Sequence, residues 1–214
     1  MAETEETSIG DRRSRIIETA MQLFLEKGFS GTSMSAIAKA CGITKATLYH
    51  HFTGKDDLFI ACVTYGYGSA LDALQEIADR TDLSDADKIR ACLRVSYDTI
   101  VSCPVGRMSP LIAEVSRTFP NVARSFHDDY IVPQQDFLWR IIEQGQSSGT
   151  FKQVDPKHIF QMVFGPIVTL SLSREMFASF DDLEEHFPVD ALREGHINAI
   201  LNLLSAEGEA SHSS

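Results

Sequence analysis

The sequence has no long apolar run. Its longest stretch free of Lys, Arg, Asp, Glu and His is Ile159–Ser173, which holds Gln161, Gly165 and Pro166. That is shorter than the roughly 20 apolar residues needed to span a bilayer, so no membrane-spanning helix is expected. The first ten residues carry Glu3, Glu5 and Glu6 and no apolar run, unlike a secretory signal, and a cytoplasmic location is expected. Cysteine is sparse: Cys41, Cys62, Cys92 and Cys103 form no Cys-x-x-Cys pair, and no His-x-x-x-His pair exists. A structural metal site is therefore not expected, and the thiols read as buried and reduced. Gly-x-Ser-x-Gly, GxxxxGK[ST] and His-Glu-x-x-His are all missing, which disfavours an enzyme and implies no cofactor. No alternating β-branched run bounded by turns occurs, so no sheet is expected. Basic residues are in deficit, 19 Lys+Arg against 30 Asp+Glu, for a formal net charge of −11. Taken as an average, that charge argues against a phosphate backbone as partner.

What is present corrects the average. Over 10–55 lie Arg12, Arg13, Arg15, Lys27, Lys39, Lys45 and Lys55, opposed only by Asp11, Glu18 and Glu26, a net charge of +4. From Asp56 onward 12 basic residues face 24 acidic ones. A small basic module followed by a large acidic body points to two jobs on one chain. Hydrophobic residues make up 43% of the 214, enough for a packed core.

Helix signals recur along the whole length. Over 11–27, Ile16, Ile17, Ala20, Met21 and Phe24 follow helical spacing, and Gly28 marks the stop. A short helix is expected over 33–40 after Thr32 or Ser33, and another from Thr44 to about His51. Thr53 and Asp56 have capping-box spacing ahead of a connecting helix over 55–80. Further helices are expected over 84–102, 108–117, 120–147 with Pro133 kinking or interrupting it, 156–177 after the Asp155-Pro156 start, and 188–205. The fold class is all-α with about nine helices.

Residues 32–55 carry the pattern of a helix-turn-helix. Two short helices crossing steeply need a small residue at the crossing, a residue tolerant of positive φ in the turn, and an apolar residue filling the angle. Ala38, Gly42 and Leu48 supply these. The segment Ile16-Ile17-Glu18-Thr19-Ala20-Met21-Gln22-Leu23-Phe24, then Lys27-Gly28-Phe29 and Thr32-Ser33-Met34-Ser35-Ala36-Ile37-Ala38, resembles the TetR (tetracycline-repressor-like) family. So do Cys41-Gly42-Ile43-Thr44-Lys45-Ala46-Thr47-Leu48-Tyr49-His50-His51-Phe52 and Lys55-Asp56-Asp57-Leu58. The resemblance implies a bacterial homodimer with an N-terminal DNA-binding module over 11–57 and a helical ligand-binding and dimerisation domain over 58–206. Disordered tails are expected over 1–10 and 207–214. It further implies a transcriptional repressor released from a palindromic double-stranded operator by a small-molecule effector. A redox- or metal-sensing regulator of the same fold, using Cys62 and Cys103 in the redox case, and a helical enzyme are the alternatives.

On a helical wheel from Thr44, Lys45, Ala46, Tyr49 and His50 share one face, and Leu48 with Thr44, Thr47 and His51 the other. Leu48 must face the body, so the first set faces the groove. Lys45 suits a guanine edge, Ala46 a thymine methyl, and Tyr49 and His50 phosphate or base. Thr44 is near the helix start, and the family pattern gives Thr47 a base contact and His51 a phosphate. Thr32, Ser33 and Ser35 suit a phosphate at the second helix, and Lys55 a further one. Phe52 reads as core. The dimer surface is expected on Phe160, Phe164, Ile167, Leu170, Phe177, Leu192, Ile197, Ile200 and Leu204. A mainly apolar effector pocket is expected from Tyr65, Tyr97, Cys103, Met108, Phe126, Tyr130, Trp139 and Phe164, with Asp98, Arg107, His127 and Gln161 as polar anchors.

Overall fold

A computed structural model describes residues 2–206, with side chains described from Arg12 onward. In chain order the helices are α1 (Ala2–Gly31), α2 (Met34–Ala40), α3 (Lys45–His51), α4 (Lys55–Asp79), α5 (Asp85–Tyr97), α6 (Ser109–Val115), α7 (Pro120–Phe126), α8 (Val132–Ser148), α9 (Pro156–Met176), α10 (Leu183–His186) and α11 (Val189–Leu204). The nine expected helical stretches are all there; 120–147 is divided in two, and the four-residue α10 is additional. Among the described residues the only β structure is an isolated antiparallel bridge between Phe151 and Ser205. No helix there is long and apolar enough to cross a membrane. The α1 backbone is helical from Ala2, ahead of the predicted start at 11 and through the expected tail 1–10. The tail expected over 207–214 lies outside the described residues.

The chain forms two compact units, Met1–Ser69 with Met108–Tyr130, and Ala70–Arg107 with Ile131–Ser214. In the first, α1 buries Ile16, Ile17, Ala20 and Phe24, each at most 1% exposed. Gly28, at φ 71°, breaks the helix, leaving carbonyls without intrahelical donors. The Thr32 hydroxyl answers two of them, lying 2.8 Å from the Gly28 oxygen and 3.1 Å from that of Leu23. Phe24, Phe29 and Phe59 pack with ring centroids 5.2–5.7 Å apart, and Phe119 joins Phe29 at 5.6 Å.

The second unit surrounds a core of Ile89, Leu93, Leu138, Ile141, Ile142, Ile159, Val163, Ile197, Ile200 and Leu204, drawn from α5, α8, α9 and α11. Each such side chain contributes about 1.5–3 kcal/mol by leaving water. The caps fall where the sequence signals them: Ser84 accepts from the Asp87 amide at 3.1 Å, and Asp155 from that of His158 at 3.1 Å. At the start of α4 the partner differs from the predicted one. The amide and hydroxyl of Thr53 donate to Asp57, at 2.8 and 3.1 Å, rather than pairing with Asp56. The break expected at Pro133 takes the form of a π-helical turn, His127–Ile131, leading into α8. Proline has no N–H to give its preceding turn, and a widened turn absorbs the missing bond.

Candidate nucleic-acid interface

The helix-turn-helix is assembled by local chemistry. Ser33 caps α2, its hydroxyl accepting from the Ala36 amide at 3.1 Å. Gly42 makes the turn at φ +66°, which a side-chain-bearing residue adopts only with strain. The Ile43 amide then donates to Ala38 at 3.0 Å. Thr44 caps α3 by accepting from the Thr47 amide at 3.1 Å, with the two hydroxyls 2.8 Å apart. Ala38 is nearly buried, Ile37 and Leu48 wholly so, filling the angle between the helices as the sequence pattern requires.

With Leu48 pinned inward, Lys45, Ala46, Tyr49 and His50 stand exposed, and Thr47 and His51 are half-buried beside them. The wheel groups these four on one face; Thr44, which it places with Leu48 on the other, is exposed as well because it stands before the helix as its cap. Tyr49 is 46% exposed, a large apolar ring left in water, and the Lys45 ammonium lies 5.8 Å from its centroid. Phe52 is core, 1% exposed, with the Arg13 guanidinium 5.0 Å from its centroid. His51 is held below the ordinary histidine value by desolvation first, then by His50, Arg12 and Arg13. Ser33 and Ser35 are exposed at the start of α2.

Two residues expected to hold phosphate are engaged internally. Thr32 is 1% exposed, its hydroxyl committed to the broken end of α1. Lys55 is half-buried, and its ammonium donates to the carbonyls of Phe29 at 2.7 Å and Thr32 at 2.9 Å while lying 4.2 Å from the Phe29 centroid. The physical reason is the same for both: the turn at Gly28 exposes carbonyl oxygens that nothing helical can satisfy, and these two side chains reach them.

Sequence reasoning passed over a cleft on the flank of α3. About 480 Å³ in volume, it is lined by Arg12, Arg15 and Thr19 of α1, by Cys41 and Gly42 of the turn, and by Thr44 and Thr47. The charge count over 10–55 included both arginines, but spacing along the chain gave no sign that α1 and α3 share a wall. Cys41 is raised by partial burial, offset by a Thr19 hydrogen bond and the Arg15 charge. Cys62 is buried with its thiol 3.4 Å from the Ile17 carbonyl, and burial pushes its pKa well up, so the thiolate a redox pair with Cys103 would need is disfavoured.

The residues expected around an effector divide between the two units. In the first, Met108 and Tyr130 are buried and Tyr65 is exposed with its hydroxyl on Glu18. Phe126 and Tyr130 stack at 5.5 Å, and both pack on Tyr67, which the sequence reading did not select. His127 is exposed against Asp128 and lines an open hollow of about 270 Å³ with Pro120, Ala123 and Arg124. In the second unit, Trp139 and Phe160 pack edge-on and Phe164 is half-buried, while Cys103 and Gln161 are exposed. Asp98 and Arg107 are exposed and paired with Arg193 and Glu175, at 3.6 and 3.0 Å. Tyr97 is buried and joins a polar chain: its hydroxyl donates to His196 Nδ1 at 2.9 Å, and His196 Nε2 donates to the Met162 carbonyl at 2.9 Å. A carbonyl can only accept, which fixes the tautomer.

Of the expected dimer residues, Ile167, Leu170, Ile197, Ile200 and Leu204 are at most 7% exposed within the unit's own core and unavailable to a second copy. Phe177 stacks on Phe187 with centroids 5.5 Å apart, and Leu192 is 42% exposed. The exposed apolar side chains of α9 are instead Met162, Val168, Leu172 and Met176. The sequence marks apolar residues on this helix but not which of them meet its own core.

The N-terminal unit of this helical chain thus carries a capped helix-turn-helix with a polar, exposed second helix. Residues 16–62 match the family described as bacterial regulatory proteins, tetR family. The HTH-type transcriptional regulator UidR of Escherichia coli K12 is 38% identical over 76 residues, 36% of this chain and 39% of UidR. The uncharacterised HTH-type regulator YxaF of Bacillus subtilis is 28% identical over 196 residues, 88% of this chain and all of YxaF. The chain spans about two-fifths of the length of UidR and less of two further Bacillus subtilis regulators, 25% of YerO and 31% of YuxN. Among solved structures, the transcriptional regulator FadR of Bacillus subtilis in complex with stearoyl-CoA superimposes with a TM-score of 0.73 at 20% identity, covering 89% of this chain and 98% of FadR. AibR in complex with isovaleryl coenzyme A and operator DNA superimposes at 0.62 with 24% identity, covering 91% and 98%. These likenesses establish the fold.

Proposed function

We propose that the protein is a ligand-responsive, sequence-specific transcriptional regulator, a repressor that leaves its operator when a small molecule binds, and not an enzyme. The DNA-binding part is 11–57, and 58–206 binds the effector and a second copy of the chain, in the cytoplasm of a bacterium. The observation that carries this reading is the polar face of α3: Lys45, Ala46, Tyr49 and His50 stand in solvent on a helix held rigid by Leu48, Gly42 and two caps. Such a face fits a major groove, where Lys45 meets base edges and Tyr49 and His50 reach phosphate or base. Thr44 and Thr47 stand nearest the helix start, where recognition helices read bases.

In a homodimer the two modules meet half-sites about one helical turn apart, or a multiple of it. An effector acts by favouring a state whose modules no longer match that spacing, and it shifts the equilibrium only by its difference in affinity for the two states. A small-molecule effector with an apolar part is supported by two fold neighbours, one solved in complex with stearoyl-CoA and one with isovaleryl coenzyme A, together with the apolar and aromatic side chains of the second unit.

Fluorescence anisotropy of the full chain against genomic fragments tests the reading. At least one fragment is expected to bind well above random duplex and to be released by stearoyl-CoA, isovaleryl-CoA or another small molecule. Binding no tighter than to random DNA, for every fragment, overturns it. Lys45→Ala is expected to relax preference at one base position, costing about 1–3 kcal/mol on the preferred sequence.

A further inference from the structure

The cleft between α1 and the helix-turn-helix has a chemistry of its own. Arg12, Arg15 and Thr19 are spaced three and four residues apart, so they lie along one face of α1, and that face forms the wall opposite Thr44 and Thr47. Both arginines are exposed, and among the described residues neither makes an ion pair or a side-chain hydrogen bond. Two neighbouring charged residues of α1 are already occupied. Arg13 lies over Phe52, and Glu18 accepts from the Tyr65 hydroxyl at 3.0 Å. The nearest titratable groups of the turn and α3 are Cys41, partly buried, and His51, whose proton affinity Arg12 and Arg13 lower. Among the described residues the cleft thus gathers two guanidiniums outside any ion pair, and no carboxylate lines it.

Its place matters as much as its charge. A major groove about 12 Å wide is bounded on both sides by phosphate backbones, so a helix laid in it has phosphates along each flank. Of the residues lining the cleft, Thr44 caps α3 and is exposed, and Thr47 is next on the wheel to His50 at the edge of the face that carries Lys45, Ala46, Tyr49 and His50. A helix seated on that face therefore presents the mouth of the cleft to one backbone. Guanidinium is suited to the task, since its planar fork meets phosphate oxygens with two donors at once.

We propose that Arg12 and Arg15 of α1 hold a backbone phosphate of the bound DNA in this cleft, clamping the duplex against the flank of α3. The proposal rests on the DNA-binding reading above and places at α1 a positioning role for which Lys55, engaged with the carbonyls of Phe29 and Thr32, is not free. Phosphate contacts carry no sequence information, so the test needs no operator: a random 30-base-pair duplex serves as probe. Affinity of the full chain is measured by anisotropy over a salt series for wild type, Arg12→Gln, Arg15→Gln and the double variant, with Arg15→Lys as the charge-conserving control. Both positions are exposed, and circular dichroism checks that each variant keeps its helices.

The double variant is expected to lower the slope of log K against log salt by about 0.9, the loss of one phosphate contact, and each single variant by no more than that, with Arg15→Lys keeping the wild-type slope. The double variant is also expected to keep the wild-type order of preference among specific fragments. A wild-type chain that binds DNA with a slope unmoved by the double variant overturns the clamp alone. A wild-type chain with no salt-dependent binding overturns the DNA-binding reading beneath it.

Discussion

At the scale of single residues, the two lysines bracketing α3 have opposite duties. Lys45 projects into solvent beside Tyr49, whereas Lys55 is folded back onto the carbonyls of Phe29 and Thr32. Removing Lys55 leaves both oxygens without their charged donor, at a cost of about 1–3 kcal/mol. Lys55→Ala is therefore expected to lower the urea midpoint of unfolding while leaving the salt slope of DNA binding unchanged. A slope reduced by about one, with unaltered stability, would return Lys55 to the phosphate. Sequence could tell that a lysine stood at a helix start but not that a broken helix 26 residues earlier would claim it. That claim depends on Gly28 turning the chain, a long-range consequence with no periodicity. The exposed and buried faces of α3 were legible because one buried leucine fixes the rotation of so short a helix.

At the scale of elements, the helix-turn-helix hinges on Gly42 and the second unit on a polar relay. Gly42→Ala meets no atom within 4 Å, so its cost is conformational alone, about 1–2 kcal/mol for positive φ. The expected result is a lower melting temperature with DNA affinity reduced only through the unfolded fraction. The relay joins α5, α11 and α9 through Tyr97, His196 and the Met162 carbonyl. Burial lowers the pKa of His196 from its ordinary 6.5, so the folded state prefers the neutral ring. The unfolded chain binds the proton more readily, and stability is complete above pH 6.5 and is lost as pH falls towards the folded value. Urea midpoints measured from pH 8 to 5 should fall below 6.5, and His196→Gln should flatten that part of the profile. An unchanged profile in the variant would remove His196 from the account. Caps and breaks at Ser33, Thr44, Ser84 and Asp155 were readable because they are local. The π-helical turns, Asp98–Ser102 and His127–Ile131, were not, since one extra residue per turn leaves no mark in composition.

At the scale of the whole molecule, the net charge of −11 hides a basic module, and apolar helices hide which side is outward. The exposed Val168, Leu172 and Met176 of α9 recur every four residues, with Met162 exposed further back along the helix, and they are where a second copy is expected to dock. Sedimentation velocity should show a dimer for the wild type and a folded monomer for Leu172→Asp; a wild-type monomer at micromolar concentration would exclude the dimer. Predicted interface residues such as Ile197 and Ile200 were read correctly as apolar but assigned to the wrong side, because hydrophobicity alone cannot separate a core from a contact.

Phe29 gathers more of the first unit than any pairwise contact suggests. Its ring touches Phe24, Phe59 and Phe119, and its carbonyl and face hold Lys55. Helices from both segments of that unit thus share one residue, and none can fray without disturbing it. Amide hydrogen exchange should accordingly report α1, the start of α4 and the α6–α7 corner opening together, as one cooperative unit. Replacing Phe29 with leucine should then split that single protected class into faster and slower groups.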